Sequence, residues 1–223
     1  MSTTAKIDGV RVVLVLGSWS SGSTAIAGYL SRAGAWSCPP HQMTNDPLTP
    51  DSHEPKAFRD ALCTFFDELT LTPIRNIEDF REFFVSWLNH EISRAEVHGL
   101  EALVIKHPIS AFVIPEILSV CDPEVVVVVR PLEHIERTRQ RRGWHPIYGS
   151  LGAQKIYSSI FSSLLAAGKG FSAVSYPEFL KNLAVRRSLV KVAGLSPAAE
   201  MILSAENWLR QPAAVLRTDE AKG

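Results

Sequence analysis

The stretch Gly17-Ser-Trp-Ser-Ser-Gly22-Ser23-Thr24 is the first whose residue types and spacing suggest chemistry. It fits the phosphate-loop pattern G-x-x-x-x-G-K-[ST] at both glycines and at the final hydroxyl, with Ser23 where the lysine belongs. Backbone amides in such a turn, followed by a helix N-terminus worth about half a positive charge, cradle an anion without any side chain. Ser20, Ser21, Gly22, Ser23 and Thr24 are therefore candidate binding residues. The missing lysine argues against Mg²⁺-dependent nucleotide hydrolysis, because nothing in the loop reaches β- and γ-phosphates. Read without a ligand, the same residues make a strand-to-helix turn with Ser21 or Ser23 as N-cap.

The second group is Arg130, His134, Thr138 and Arg141, spaced four, four and three residues apart, so that a helix would put them on one side. A guanidinium fork beside a hydroxyl and further cations suits a phosphate oxyanion, because Arg offers two parallel charge-assisted hydrogen bonds. The run from Arg137 to Arg142 also reads as a solvated basic helix end that favours the dipole. His41, Asp51 and His53 raise the question of a metal, but their spacing matches no tight ligand pattern. No metal is expected.

The elements that must position these groups are legible from periodicity. Val10 to Leu16 is nearly all apolar and β-branched, as in a strand buried on both faces of a parallel sheet, and a helical pattern from Thr24 to Ala33 follows the loop. From Trp36 to Pro55 there is no periodicity, which predicts a long ordered loop over a site. Helical patterns at about 56–71 and 77–97 form an inserted cap at about 56–97. Strands are predicted at Ala102–Lys106, Glu124–Val129 and Phe171–Ser175. Helices are predicted at about 110–120, from Pro131 to Arg142, at 150–167, from Tyr176, at 186–193 and at 197–209. Alternating strands and helices predict an α/β fold: a three-layer, phosphate-loop-like single domain spanning 1–223, with a parallel β-sheet flanked by helices and the helical insertion between the first and second strands. Arg130 then lies at the carboxyl end of a strand, where open α/β sheets bind ligands.

In order, the chain has a phosphate-loop-like turn without the lysine, a strand running into Arg130-Pro131 with Thr138 beyond it, and a strand running into Ser175-Tyr-Pro-Glu-Phe-Leu180. This resembles the sulfotransferases that use 3′-phosphoadenosine 5′-phosphosulfate, especially bacterial members acting on carbohydrates, lipids or natural products. The resemblance spans roughly Arg11 to Gly194. It implies that Ser20 to Thr24 hold the 5′-phosphosulfate, that Arg130 and Thr138 hold the 3′-phosphate, and that Tyr176 lies near the adenine. It also implies a base for the acceptor hydroxyl. Glu54 resembles the acidic position used by carbohydrate and bacterial members, and His107 resembles the histidine base of the cytosolic branch by type. Glu54 is preferred because its loop should cover the acceptor side. Two departures stand out. Ser20 replaces a Lys or Arg that usually steadies the bridging oxygen, for which Lys106 is the first substitute and Arg142 the second; and no glycine-rich basic C-terminal loop is visible. Without catalysis in mind, Glu54 is a charge at a helix N-terminus and His107 a satisfied strand-end histidine. The competing functions are a nucleotide-binding relative that has lost transfer, and an ATP-dependent phosphotransferase.

Composition narrows the classes. The 223 residues are 46% hydrophobic and 21% charged, ordinary for a globular protein, and 23 Lys plus Arg balance 23 Asp plus Glu. No general basic field is available for nucleic acid, so an anion site must be local. Cys38, Cys63 and Cys121 have no zinc-ligand or paired spacing and are expected as free thiols in a cytoplasmic protein. The apolar runs at 12–16 and 125–129 are strand-length, far short of the roughly 20 residues that span a bilayer. The expected partner is a small-molecule, glycan or lipid acceptor.

Overall fold

The computed structural model describes residues 9–47 and 49–220, with side chains described through Arg210. In chain order the elements are β1 (Arg11–Leu16), α1 (Ser23–Arg32), β2 (His41–Met43), β3 (Asp51–Pro55), α2 (Lys56–Phe65), β4 (Phe66–Asp67), β5 (Thr72–Pro73), α3 (Phe80–Val97), β6 (Ala102–Lys106), α4 (Ile114–Val120), β7 (Glu124–Val129), α5 (Leu132–Arg141), α6 (Ser150–Ala166), β8 (Ser172–Ser175), α7 (Tyr176–Lys181), α8 (Leu183–Val192) and α9 (Ala199–Glu220). The main sheet is parallel, in the order β6-β1-β7-β8, as the alternating pattern predicts.

Side-chain alternation in the central strand divides the core in two. Val12, Leu14 and Leu16 face a cluster built with α2, α3, α4 and α6, whereas Val13 and Val15 face one built with α1, α7, α8 and α9. Leu14, Val15 and Leu16 have no exposed surface. A strand apolar at successive positions is stable only with helices on both faces, and burying each such side chain contributes about 1.5–3 kcal/mol. The helical insertion lies between β1 and β6, as expected.

Three local features differ from the sequence expectation. The 36–55 segment contains the antiparallel pair β2–β3, which is too short to show periodicity. The helix starting at Lys56 stops at Phe65, where a tight β4–β5 hairpin follows. Asp67 Oδ1 there accepts from Leu69 N at 2.8 Å and Thr70 N at 2.9 Å, a side-chain turn that competes with helix hydrogen bonding. The helix expected at 110–120 begins as a 3₁₀ turn at Pro108–Phe112, and α4 proper starts beside Pro115, which has no amide hydrogen to lose in a first turn.

A buried ion pair ties the C-terminal helices to α1. Arg186 donates to both carboxylate oxygens of Glu206 at 2.7 and 2.9 Å and to the carbonyls of Phe179 and Leu180, and Tyr29 Oη donates to Glu206 at 2.8 Å. Removing one partner strands a buried charge. Arg186→Ala is therefore expected to cost about 3–5 kcal/mol in urea unfolding. A cost under about 1 kcal/mol would show the pair to be dispensable.

Candidate functional site

The four carboxyl ends of the main sheet deliver the site. β1 leads into the Gly17–Thr24 loop, β6 ends in Lys106 with His107 next, β7 ends just before Arg130, and β8 leads straight into Tyr176. Because β6 and β7 lie on opposite sides of β1, these ends open a crevice at the point where strand order reverses. A cavity of about 510 Å³ fills it, walled by the loop, Lys106, Arg130, Thr138 and Tyr176 on one side and by the β2–β3 segment on the other.

The loop is shaped for close approach. Ser20 and Gly22 have positive φ, 60° and 95°. A Cβ on Gly22 would lie 2.1 Å from the Tyr176 ring, so only glycine lets that ring pack on the turn. The Arg130 guanidinium sits over the same ring, 5.1 Å from its centre. Arg130 also donates to Ser20 O at 2.8 Å and Thr138 Oγ1 at 3.1 Å, which fastens the loop to α5. Two polar atoms here are buried with no partner among the described residues, Ser20 Oγ and Arg130 Nε. Buried polar groups are almost always paired, so a hydroxyl and a guanidinium left unpaired beside a cavity fit an anionic ligand. On its outer side Arg130 closes a shallower depression with His134, Arg137, Thr138 and Arg141, the helical face expected from spacing.

At the cavity floor, Lys106 Nζ donates to Glu54 Oε1 at 2.6 Å, Thr24 Oγ1 at 3.1 Å and Ser52 O at 3.2 Å. All three ammonium hydrogens are therefore engaged, and the lysine links the start of α1 to β3. Lys106 and Glu54 are 3% and 7% exposed, yet both line the cavity. Burial opposes the charge on Glu54, but Lys106 beside it holds its carboxyl below the usual glutamate range, so it is ionised at neutral pH.

His107 is placed differently from Glu54. It is fully buried and does not line the cavity; its Nδ1 accepts from Ile109 N at 3.2 Å, and its Nε2 lies 3.7 Å from Glu54 Oε2. Burial pushes its pKa down to about 4, below an ordinary histidine near 6.5. The unfolded chain then takes up a proton that the folded chain refuses, so this contribution to stability is present above pH 6.5 and is lost as pH falls toward 4. Urea unfolding of His107→Asn is expected to show a shallower loss between pH 7 and pH 5 than the unsubstituted chain. An unchanged slope would place the acid sensitivity elsewhere.

Sequence reasoning passed over several of the groups that close the cavity, Asp46, Thr49 and the aromatic cluster after α5 among them. Asp46 Oδ2 accepts from Arg142 Nε at 2.5 Å and Arg141 Nη2 at 3.0 Å, and Arg142 also donates to Thr49 at 2.8 Å, latching Asp46 and Thr49 to the end of α5. Arg142, the second substitute cation considered above, lines the cavity but is engaged in this latch. Trp19 packs edge-on against Tyr148, 4.8 Å between ring centres, and with Trp144, His145, Arg59 and Glu68 walls the remaining cavity. Only the clustering of Trp144, His145 and Tyr148 just after α5 could have signalled this wall. Trp87 lies in the core, and Trp208 is part-exposed with Arg32 over its ring. The three cysteines are free, two of them buried.

No family model matches the chain, and no curated protein matches it. Among solved structures, the sulfotransferase domain from the Synechococcus PCC 7002 olefin synthase superposes with a TM-score of 0.53, covering 92% of this chain and 80% of that one at 17% identity. The likeness shows a sulfotransferase-type α/β fold. Among the described residues no helix is long and apolar enough to cross a membrane.

Proposed function

We propose that the protein is a sulfotransferase that moves a sulfuryl group from 3′-phosphoadenosine 5′-phosphosulfate to a hydroxyl of a carbohydrate, lipid or natural-product acceptor. The observation that carries this reading is the pair of unsatisfied buried groups, Ser20 Oγ and Arg130 Nε, at a strand-end cavity that also holds an ionised Glu54 beside a buried lysine. The sulfotransferase-type fold supports it.

When bound, the donor supplies a sulfuryl group activated by its phosphate leaving group. Loop amides and hydroxyls from Ser20 to Thr24, at the N-terminus of α1, would hold the 5′ anion; Arg130 and Thr138 would hold the 3′-phosphate; Tyr176 would offer its ring to the base. Lys106 takes the part of the cation missing at Ser20, because it already reaches Thr24 from the neighbouring strand. Such a fixed cation in a water-poor site stabilises charge on a departing oxygen without reorganisation. Glu54 accepts the proton of the acceptor hydroxyl, and His107 sits behind it, outside the cavity.

The test is a thermal-shift titration with 3′-phosphoadenosine 5′-phosphate against adenosine 5′-phosphate and ATP, since a ligand that binds only the folded state raises apparent stability by mass action. Selective stabilisation by the 3′-phosphorylated nucleotide is expected. Stabilisation by ATP alone would favour a phosphotransferase, and by none of them would discard the reading. Arg130→Ala should weaken the 3′,5′-bisphosphate by about 10- to 100-fold through loss of charge-assisted hydrogen bonds, with little effect on adenosine 5′-phosphate. Equal losses for the two nucleotides would take the 3′-phosphate away from Arg130.

A further inference from the structure

Behind the Glu54–Lys106 pair, on the other side of β3, the chain brings together three side chains that its spacing kept apart. The Glu54 side chain and the Ser52 carbonyl meet Lys106, whereas Asp51 and His53, the latter at a positive φ of 51°, gather with His41 of the antiparallel partner strand β2. One ligand atom from each of His41, Asp51 and His53 lies within 4.8 Å of the other two.

The hydrogen bonding of this group is incomplete in a specific way. His41 Nε2 lies 2.8 Å from Ser37 O, which can only accept, so that nitrogen carries a hydrogen. His41 Nδ1 faces Asp51 Oδ2 at 2.9 Å, and a carboxylate can only accept as well; a cation must sit between them, either a proton or a metal ion. The other Asp51 oxygen, Oδ1, is taken by His53 N at 2.6 Å. A proton would complete the His41–Asp51 contact and do nothing for His53, whose Nδ1 is buried without any partner among the described residues, on a residue 6% exposed. A divalent ion satisfies all three at once. The His53 ring is also held in place: it packs edge-on against Trp208, and a Cβ on Gly28 would lie 2.7 Å from its Nε2.

We infer that His41, Asp51 and His53 form a binding site for a divalent transition-metal ion of the zinc type, joining β2 and β3. Two imidazoles and one carboxylate, with a fourth position for water, are a donor set that Zn²⁺ accepts at metal–ligand distances near 2.0–2.2 Å, and the three ligand atoms, now within 4.8 Å of one another, would close around the ion. The His41 Nε2–Ser37 carbonyl bond is the outer contact that usually fixes the tautomer of a metal-bound histidine. The site departs from the expectation of no metal because pairing of β2 with β3, not sequence spacing, assembles it. Its position behind Glu54 makes it a brace for the strand that carries the base, separate from the cavity.

The experiment is titration of the full chain, after chelator treatment, with Zn²⁺ alone in competition with a chromophoric chelator, and with Co²⁺ followed by its visible absorption. One saturable equivalent and a four-coordinate cobalt spectrum are expected, with a rise in melting temperature on adding Zn²⁺. His53→Ala and Asp51→Asn should each weaken Zn²⁺ by at least about tenfold and abolish that rise. Asp51 is part-exposed, so Asp51→Asn keeps the test valid should His53→Ala fail to fold. Absence of saturable binding to the unsubstituted chain, or full binding retained by either folded variant, overturns the site and puts any bound ion on other histidines.

Discussion

Glu54→Gln is expected to lower turnover by about 100- to 10,000-fold, the range supplied by a positioned general base, with 3′-phosphoadenosine 5′-phosphate still bound nearly as well. The substitution removes one charge and keeps the shape. Gln still presents an oxygen to Lys106 Nζ, which retains Thr24 Oγ1 and Ser52 O as acceptors, so the floor of the cavity should survive. Glu54 lines the cavity and is ionised, so it can take a proton, although the neighbouring lysine, which holds its carboxyl below the usual range, makes it a weaker base than a free glutamate. Release of the nucleotide product in a single turnover, with any acceptor the unsubstituted chain uses, separates chemistry from binding. Unchanged release would remove Glu54 from the reaction. Because His107 does not reach the cavity and has Nδ1 tied to a backbone amide, the base would then have to come from another wall residue.

Lys106→Met should be nearly as damaging, by two routes that can be told apart. The first is chemical: loss of a buried cation aimed at a developing charge costs about 100- to 1,000-fold in turnover. The second is structural: Glu54, 7% exposed, loses its partner, and an uncompensated buried charge costs about 3–5 kcal/mol of stability. The double variant Lys106→Met with Glu54→Gln removes both charges and should regain most of that stability while turnover stays low. Were turnover in the single variant within about tenfold of the unsubstituted chain, the cation would have to be found elsewhere, with Arg142 next in line once its latch to Asp46 opens.

How much of this was legible in the chain depends on the range of the interaction. The sheet was legible: β-branched runs at 10–16, 102–106 and 124–129 are apolar at consecutive positions, which only a strand covered on both faces can satisfy. The Gly17–Thr24 loop was legible because Gly17 and Gly22 stand at the phosphate-loop interval, and at Gly22 a positive φ and close packing of the Tyr176 ring both favour glycine. Arg130 and Thr138 were legible because helical spacing is local. The end of α2 was not, since Asp67 stops it through a side-chain turn that competes on nearly equal terms with one more helical turn. The meeting of Trp19 with Trp144 and Tyr148 was hidden because Trp19 comes from the loop after β1 and the other two from the segment after α5.

The sequence by itself determined what short-range rules can carry: which segments become strands and helices, that the sheet is parallel and covered, and that a glycine-bracketed loop and an arginine end up at strand ends. Tertiary structure alone decided which residues from distant segments meet. Lys106 and Glu54 are 52 residues apart and touch only because β3 packs against β6. The same closure made His107 an interior neighbour of Glu54, latched Asp46 to Arg141 and Arg142, and gathered His41, Asp51 and His53 into one cluster. The physical reason is that a local pattern fixes backbone geometry one turn at a time, whereas pairing of buried charges is set by strand order and by the low dielectric of the packed interior, where an unpaired charge is too costly to keep.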